Sequence, residues 1–223
     1  MPGLAGYLAT VKRSGTPTSF SSEAMSTDGS TVANRFQIAD GVKEIWDRTV
    51  VPTLRQAGSS VSGGTTISST NIVKIDYLFG RVTFGTTLAP DVRVAGTFMP
   101  VAKIIGAKEY TLAQVGDGLD NTEFDSTSLG IRTRQVGLLD VNITISKWEP
   151  VSIVLDSFND LNAQRAVVIE IQPGGVSSSG PIARGWFIPE NASRSGDMAS
   201  LEQGDLSFQL DGDARAAYAW SDL

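Results

Sequence analysis

Alternation of apolar and polar residues with a period of two recurs along this chain, most sharply from Asn71 to Gly85, NIVKIDYLFGRVTFG. Val73, Ile75, Tyr77 and Phe79 alternate with Lys74, Asp76 and Leu78, the spacing of a strand with one buried face. After Gly80 the apolar positions become Val82 and Phe84, a phase change of one residue. Such a shift sends every later side chain to the opposite face unless the backbone absorbs it, and a residue without a Cβ can do so. The segment predicts two strand arms meeting at a corner at Gly80, with Tyr77, Phe79 and Phe84 as core aromatics. Leu139, Val141, Ile143 and Ile145 alternate with Asp140, Asn142, Thr144 and Ser146, which predicts a strand with one packed and one wetted face. Val92 to Phe98 and Leu206 to Leu210 repeat the pattern, and Val167 to Ile171 is a continuous buried run.

The remaining segments fill in around these strands. Tyr7 to Val11 predicts a short strand or arm, and Thr18 to Ser22 a short strand within a Ser, Thr and Gly-rich loop. Arg35 to Trp46 predicts a hairpin turning at Ala39-Asp40-Gly41, since Asp-Gly between apolar runs favours such turns. Val101 to Val115 predicts one or two strands broken near Gly106, and GDGLDN, Gly116 to Asn121, a turn-rich loop. The best helix candidate is Ser157 to Gln164, where Ser157 and Asp160 stand at capping-box spacing. Ser59 to Thr70, SSVSGGTTISST, is the most biased stretch: ten of its twelve residues are Ser, Thr or Gly and none is charged. It cannot bury enough apolar surface to offset its own ordering entropy. Two readings stand open there, a plain surface loop or an arm that becomes ordered against a neighbouring subunit.

Composition narrows the chemistry. The 223 residues, 41% hydrophobic and 19% charged, are in the ordinary globular range, and 23 glycines favour strands and turns. The absence of cysteine excludes disulfides, thiol nucleophiles and thiolate zinc sites. The absence of histidine removes the usual general base and the commonest metal ligand. A net charge of -6 argues against binding nucleic acid by phosphate neutralisation, although a negative wall suits a conduit that must not hold a polyanion. Glu123 with Asp125 and Asp211 with Asp213 are the carboxylate pairs available to a glycosidase mechanism, each in a turn-like setting. No run of some 18 apolar residues is present, so no membrane span is expected.

Three stretches carry a resemblance: IDYLFGRVTF from Ile75, RQVGLLDVNITISKW from Arg134, and GDLSFQLDGD from Gly204. Together they resemble the tail tube (major tail) proteins of long-tailed, siphovirus-like bacteriophages and related gene transfer agents. The residues by themselves predict an all-β protein of about ten strands and one short helix, a β-sandwich or flattened barrel. The resemblance adds a single tail-tube-like domain over residues 1–223, with a flexible arm about 55–71. It implies a structural virion protein without catalysis or cofactor, in which six copies close a ring and the rings stack into a tube that conducts DNA. The implied partners are further copies of the chain, the tape measure, tail tip and tail terminator proteins, and double-stranded DNA that passes without specific binding, with no membrane. The implied location is the virion tail, assembled in the bacterial host cytoplasm. Val61, Thr65, Thr66 and Ile67 are then the inter-subunit arm. Arg35 to Trp46 and Leu139 to Ser146 are the favoured lumen strands, the latter through Asp140, Asn142, Thr144 and Ser146. Two other readings fit the same strands: a monomeric decoration protein, or a carbohydrate-binding or glycoside-cleaving sandwich that stacks sugars on Trp46, Trp148, Trp186 or Trp220.

Overall fold

The computed structural model describes residues 10–29, 32, 34–56, 64–88, 91–104, 107–120, 134–148, 159–173, 181–197, 200–212 and 218–221. In chain order the strands are β1 (Thr10–Ser14), β2 (Thr18–Thr27), β3 (Arg35–Ile38), β4 (Thr53–Gln56), β5 (Thr65–Thr66), β6 (Ile72–Asp76), β7 (Arg81–Phe84) and β8 (Val92–Phe98). They continue as β9 (Val101–Lys103), β10 (Ala107–Asp120), β11 (Arg134–Trp148), β12 (Val167–Gln172), β13 (Ala183–Asp197), β14 (Ser200–Leu210) and β15 (Tyr218–Trp220). One short helix, α1, covers residues 159–163. The protein is all-β. Its fifteen strands among the described residues exceed the expected ten or so because β5, β9 and β15 are only two or three residues long.

The chain forms two units: Met1–Ile104 with Ala166–Phe187 and Asp211–Leu223, and Ile105–Arg165 with Ile188–Leu210. In the first, seven strands run in the order β5-β4-β8-β2-β3-β7-β6, and β13-β12-β1-β9 form a second group with β15 on β13. Phe36 and Ile38 of β3, Val82 and Phe84 of β7, and Val92 and Val94 of β8 alternate inward and pack with Phe20, Trp46 and Tyr77. A second cluster joins Ile45, Leu78 and Phe79 to Val168 of β12 and Trp186 of β13. All six residues of β12 are buried, Glu170 and Gln172 with the apolar Val167, Val168, Ile169 and Ile171.

Gly80 is the residue on which this unit turns. β6 and β7 are an antiparallel hairpin closed over Tyr77–Gly80, with Gly80 at φ +58. A Cβ there would stand 2.8 Å from the Glu44 carbonyl oxygen and 2.8 Å from Ile38 Cγ2, so both backbone angle and space demand glycine. Tyr77, Phe79 and Phe84 are core residues as expected; Leu78 is buried with them because turn residues escape strand alternation. Val73, expected inward, is 68% exposed. A register shift between Ile72 and Lys74 turns it out and leaves Ile72 and Ile75 to pack on the core.

Two loop expectations are corrected. Beyond β3 the chain makes a 3-10 turn, Gly41–Lys43, rather than a hairpin. The Asp40 carboxylate accepts from Val42 N–H at 3.0 Å and its carbonyl from Lys43 N–H at 3.0 Å, which favours a helical turn over a strand return. Trp46 then forms an isolated bridge to Phe98. GDGLDN, read as a loop, is strand as far as Asp120: Gly116 pairs with Leu139, Gly118 with Val136 and Asp120 with Arg134, across a bulge between Gly116 and Gly118. Pairing along a long hairpin overrides the local turn signal.

The second unit is built on the β10-β11 hairpin, and its strands follow the order β10-β11-β14-β13. Helix α1 ends where Gln164 takes φ +49. Asp160, buried within it, receives Arg165 Nε at 2.9 Å; Ser157, its expected capping partner, lies outside the described residues.

Candidate functional site

The strand register of the second unit assembles one two-sided platform. Ile143 pairs with Leu112 of β10 and Phe208 of β14, and Ile145 with Tyr110 and Leu206. Val141, Ile143, Ile145, Leu206 and Phe208 are buried. The opposite face carries cross-strand rows: Glu109, Ser146 and Asp205; Thr111, Thr144 and Ser207; Ala113, Asn142 and Gln209; and Val115 with Asp140. Paired residues share a face, so all four lumen candidates lie together. Ser146 Oγ donates to Asp205 Oδ1 at 2.6 Å, and Asn142 Nδ2 to Asp140 Oδ2 at 3.3 Å. These rows hold hydroxyls, amides and carboxylates but no cation. A polyanion meets hydrogen-bonding groups there and no countercharge.

The other candidates scatter. Thr65 and Thr66 are exposed and form β5, the outermost strand of its sheet, opposite Gln56 and Arg55. Ile67 is half-buried, and its N–H donates to the Leu54 carbonyl at 2.9 Å. Val61 lies outside the described residues. Trp46 and Trp186 are core residues, whereas Trp220 is 41% exposed and packs edge-on against Tyr218. The side chain of Trp148 falls outside the described residues, as do Glu123, Asp125 and Asp213. Asp211 is the ion-pair partner of Arg48. Among the described residues no group of three or more carboxylates converges as a metal site, and no helix is long and apolar enough to cross a membrane.

The first unit contains a buried charge network that pattern reading missed. Glu170, 1% exposed on β12, accepts from Lys12 Nζ at 2.6 Å and Arg184 Nε at 2.7 Å. Arg184 Nη1 also donates to Glu44 Oε2 at 2.9 Å and to the Leu78 carbonyl at 3.0 Å, and its guanidinium lies 4.8 Å from the centre of the Phe79 ring. Burial pushes the Glu170 carboxyl up, but Arg184 and Lys12 outweigh it and hold it below the usual carboxylate range. The signal was present in VVIEIQ: a carboxylate inside a buried run requires a cation. Its partners lie 158 and 14 residues away, beyond the reach of local pattern.

No protein-family model matches the chain, and no curated protein matches it. Solved structures that overlap it in part include two from gene transfer agent particles. A chain in the virion of a native gene transfer agent particle has a TM-score of 0.46 and 12% identity, over 55% of this chain and 89% of that one. A chain in the tail of an empty gene transfer agent particle, refined with C6 symmetry, has a TM-score of 0.46 and 13% identity, over 55% and 87%. Overlap this partial does not bear on function. The three stretches that resemble tail tube proteins occupy the β6-β7 hairpin, β11, and the end of β14 that pairs with β11.

Proposed function

We propose that the chain is a structural virion protein, the tail tube subunit of a long-tailed phage or gene transfer agent, with no turnover chemistry. Six copies close a ring, the rings stack, and the tube conducts double-stranded DNA. The observation that carries this reading is the set of four polar rows across β10, β11 and β14, whose residues include no cation, backed by a face on which Val141, Ile143, Ile145, Leu206 and Phe208 are buried. A conduit for DNA has to be wetted, stiff and weakly or negatively charged, because each lysine or arginine on its wall would release counterions from DNA and hold it. The same sheet ends on β10, fourteen residues long, and an edge of that length is a template for another chain. Repetition of one heterologous contact generates rings and filaments. Arg35 to Trp46 serves this role less well, since Arg35 is committed to Asp28 and the segment leaves strand geometry at Ala39. Tape measure, tail tip and terminator proteins follow as partners, and the virion tail as location.

Negative-stain electron microscopy with light scattering on the purified chain tests this. Rings or hollow tubes, or a mass near six copies, are the expected result. A chain that stays monomeric in the presence of tail-tip components overturns it in favour of a monomeric decoration protein.

A further inference from the structure

A row of charge crosses four strands of the first unit. Lys103 of β9 stands opposite Lys12 of β1, Lys12 opposite Glu170 of β12, and Glu170 opposite Arg184 of β13, so the four share one face. Three are cations, and the two lysines are like charges directly opposed. The single anion of the row binds its neighbours together, since the Glu170 carboxylate accepts from Lys12 at 2.6 Å and from Arg184 at 2.7 Å. Lys103 is exposed, whereas Glu170 and Arg184 are 1% and 5% exposed. A second carboxylate reaches the row from outside it: Glu44 accepts from Arg184 Nη1 at 2.9 Å and from Gln37 Nε2 at 3.2 Å. Loss of the Glu170 charge therefore leaves three cations with Glu44 as their one counterion.

Arg184 also grips the turn that closes the β6-β7 hairpin. Its Nη1 donates to the Leu78 carbonyl at 3.0 Å and its guanidinium lies over the Phe79 ring. The turn in turn orders its surroundings, because the Gly80 carbonyl accepts from Ile38 N–H at 3.0 Å and the Tyr77 carbonyl from Trp46 N–H at 2.7 Å. Leu78 and Phe79 pack there with Ile45 and Trp186. The other charged groups around the turn are committed elsewhere: Lys43 to Glu23 and Asp40, Arg81 to Asp28, Arg48 to Asp211, and Asp76 to the Leu78 N–H.

We propose that this row is an acid-operated clamp. With Glu170 ionised, Arg184 holds the Tyr77–Gly80 turn and Glu44 against β13; with Glu170 protonated, the turn lifts locally and uncovers Leu78, Phe79 and Trp186 while the strands around β8 stay folded. Burial raises the Glu170 carboxyl, but Arg184 and Lys12 bring it below the usual carboxylate range. The clamp is therefore closed above the unfolded value of about 4.3 and opens as pH falls through the lower folded value. Every part of it lies within one copy of the chain, so it does not depend on the tube reading.

Amide hydrogen exchange between pH 7 and pH 3, corrected for the intrinsic pH dependence of exchange, tests the clamp. The reporters are the amides of Ile38 and Trp46, whose acceptors belong to the turn. The controls are those of Val92 and Val94, in a strand paired on both sides. The reporters are expected to lose protection first on acidification, with the controls still protected. Loss of both sets in one transition, or reporters that stay protected to pH 3, overturns the proposal. At pH 7, Glu170→Gln should speed reporter exchange by about tenfold or more and leave the controls protected. Glu44→Ala removes an anchor whose side chain is 22% exposed, so it tests the same contact even where Glu170→Gln does not fold. Its reporters should also exchange faster at pH 7, and exchange at the wild-type rate overturns the clamp.

Discussion

Two residues in the first unit set backbone and charge where substitution has nowhere to go. Gly80→Val combines a β-branched side chain with φ +58 and contacts of 2.8 Å to backbone and to Ile38. The expected cost is about 2–4 kcal/mol, the sum of a left-handed penalty and overpacking. Thermal unfolding checks it, and an unchanged midpoint would show that the turn relaxes freely. Glu170 is held between Lys12 and Arg184, so Glu170→Gln leaves Arg184, 5% exposed, with Glu44 and a carbonyl alone. Removal of one member of a buried ion pair costs about 3 kcal/mol. The sign of its pH dependence follows from the lowered carboxyl. Its contribution is present above the unfolded glutamate value of about 4.3 and is lost as pH falls through the lower folded value. Denaturant titrations between pH 7 and pH 3 should therefore show a steeper acid loss in the wild type than in Glu170→Gln. Parallel curves would mean that Glu170 is not a linked proton site.

At the scale of elements, deletion across β5 tests whether folding and assembly can be separated. β5 contributes two exposed residues at the end of its sheet, and Ile67 is the half-buried side chain beside them. Deletion of Ser59 to Thr70 is expected to cost about 1–2 kcal/mol, the burial of one partly covered isoleucine, and to leave a folded protein. If the segment is an inter-subunit arm, the same deletion abolishes long tubes; normal tubes from the deletion would make it a surface loop. Elements were legible in the sequence wherever one physical effect dominated. The alternation of Val141, Ile143 and Ile145 and the apolar residues on either side of Glu170 in β12 each announced a strand, because burial fixes such patterns. Legibility failed where partners distant in sequence decide. Asp40-Gly41 carries a hairpin signal but serves a 3-10 turn, GDGLDN carries a loop signal but pairs with β11, and Val73 leaves the core through a bulge. The candidate site shows the same division. Asp140, Asn142, Thr144 and Ser146 could be seen to share a face of one strand, but the rows that extend that face across Thr111 and Ser207 depend on register that no local pattern contains.

For the whole molecule the tube reading turns on a negative property, the lack of cations in the described polar rows of β10, β11 and β14, and a negative property is tested by adding what is missing. Asn142 and Thr144 lie on that face with half-exposed and exposed side chains, so lysine at both positions can extend into solvent without entering the core. If that face lines a channel, six subunits bring twelve new ammonium groups to one ring, and these bind DNA by releasing its counterions. Binding of that origin weakens linearly in log-log form as salt rises. Co-sedimentation of assembled protein with labelled double-stranded DNA is expected to show no retention for the wild type at physiological salt. For Asn142→Lys with Thr144→Lys it is expected to show strong retention that disappears on raising the salt. The same two lysines placed on a surface outside the channel provide the control, since they add equal charge without the enclosure that concentrates its field. Equal retention by control and test variants would mean that the β10-β11-β14 face is an ordinary outer surface, and the conduit would have to be sought on other strands of the chain.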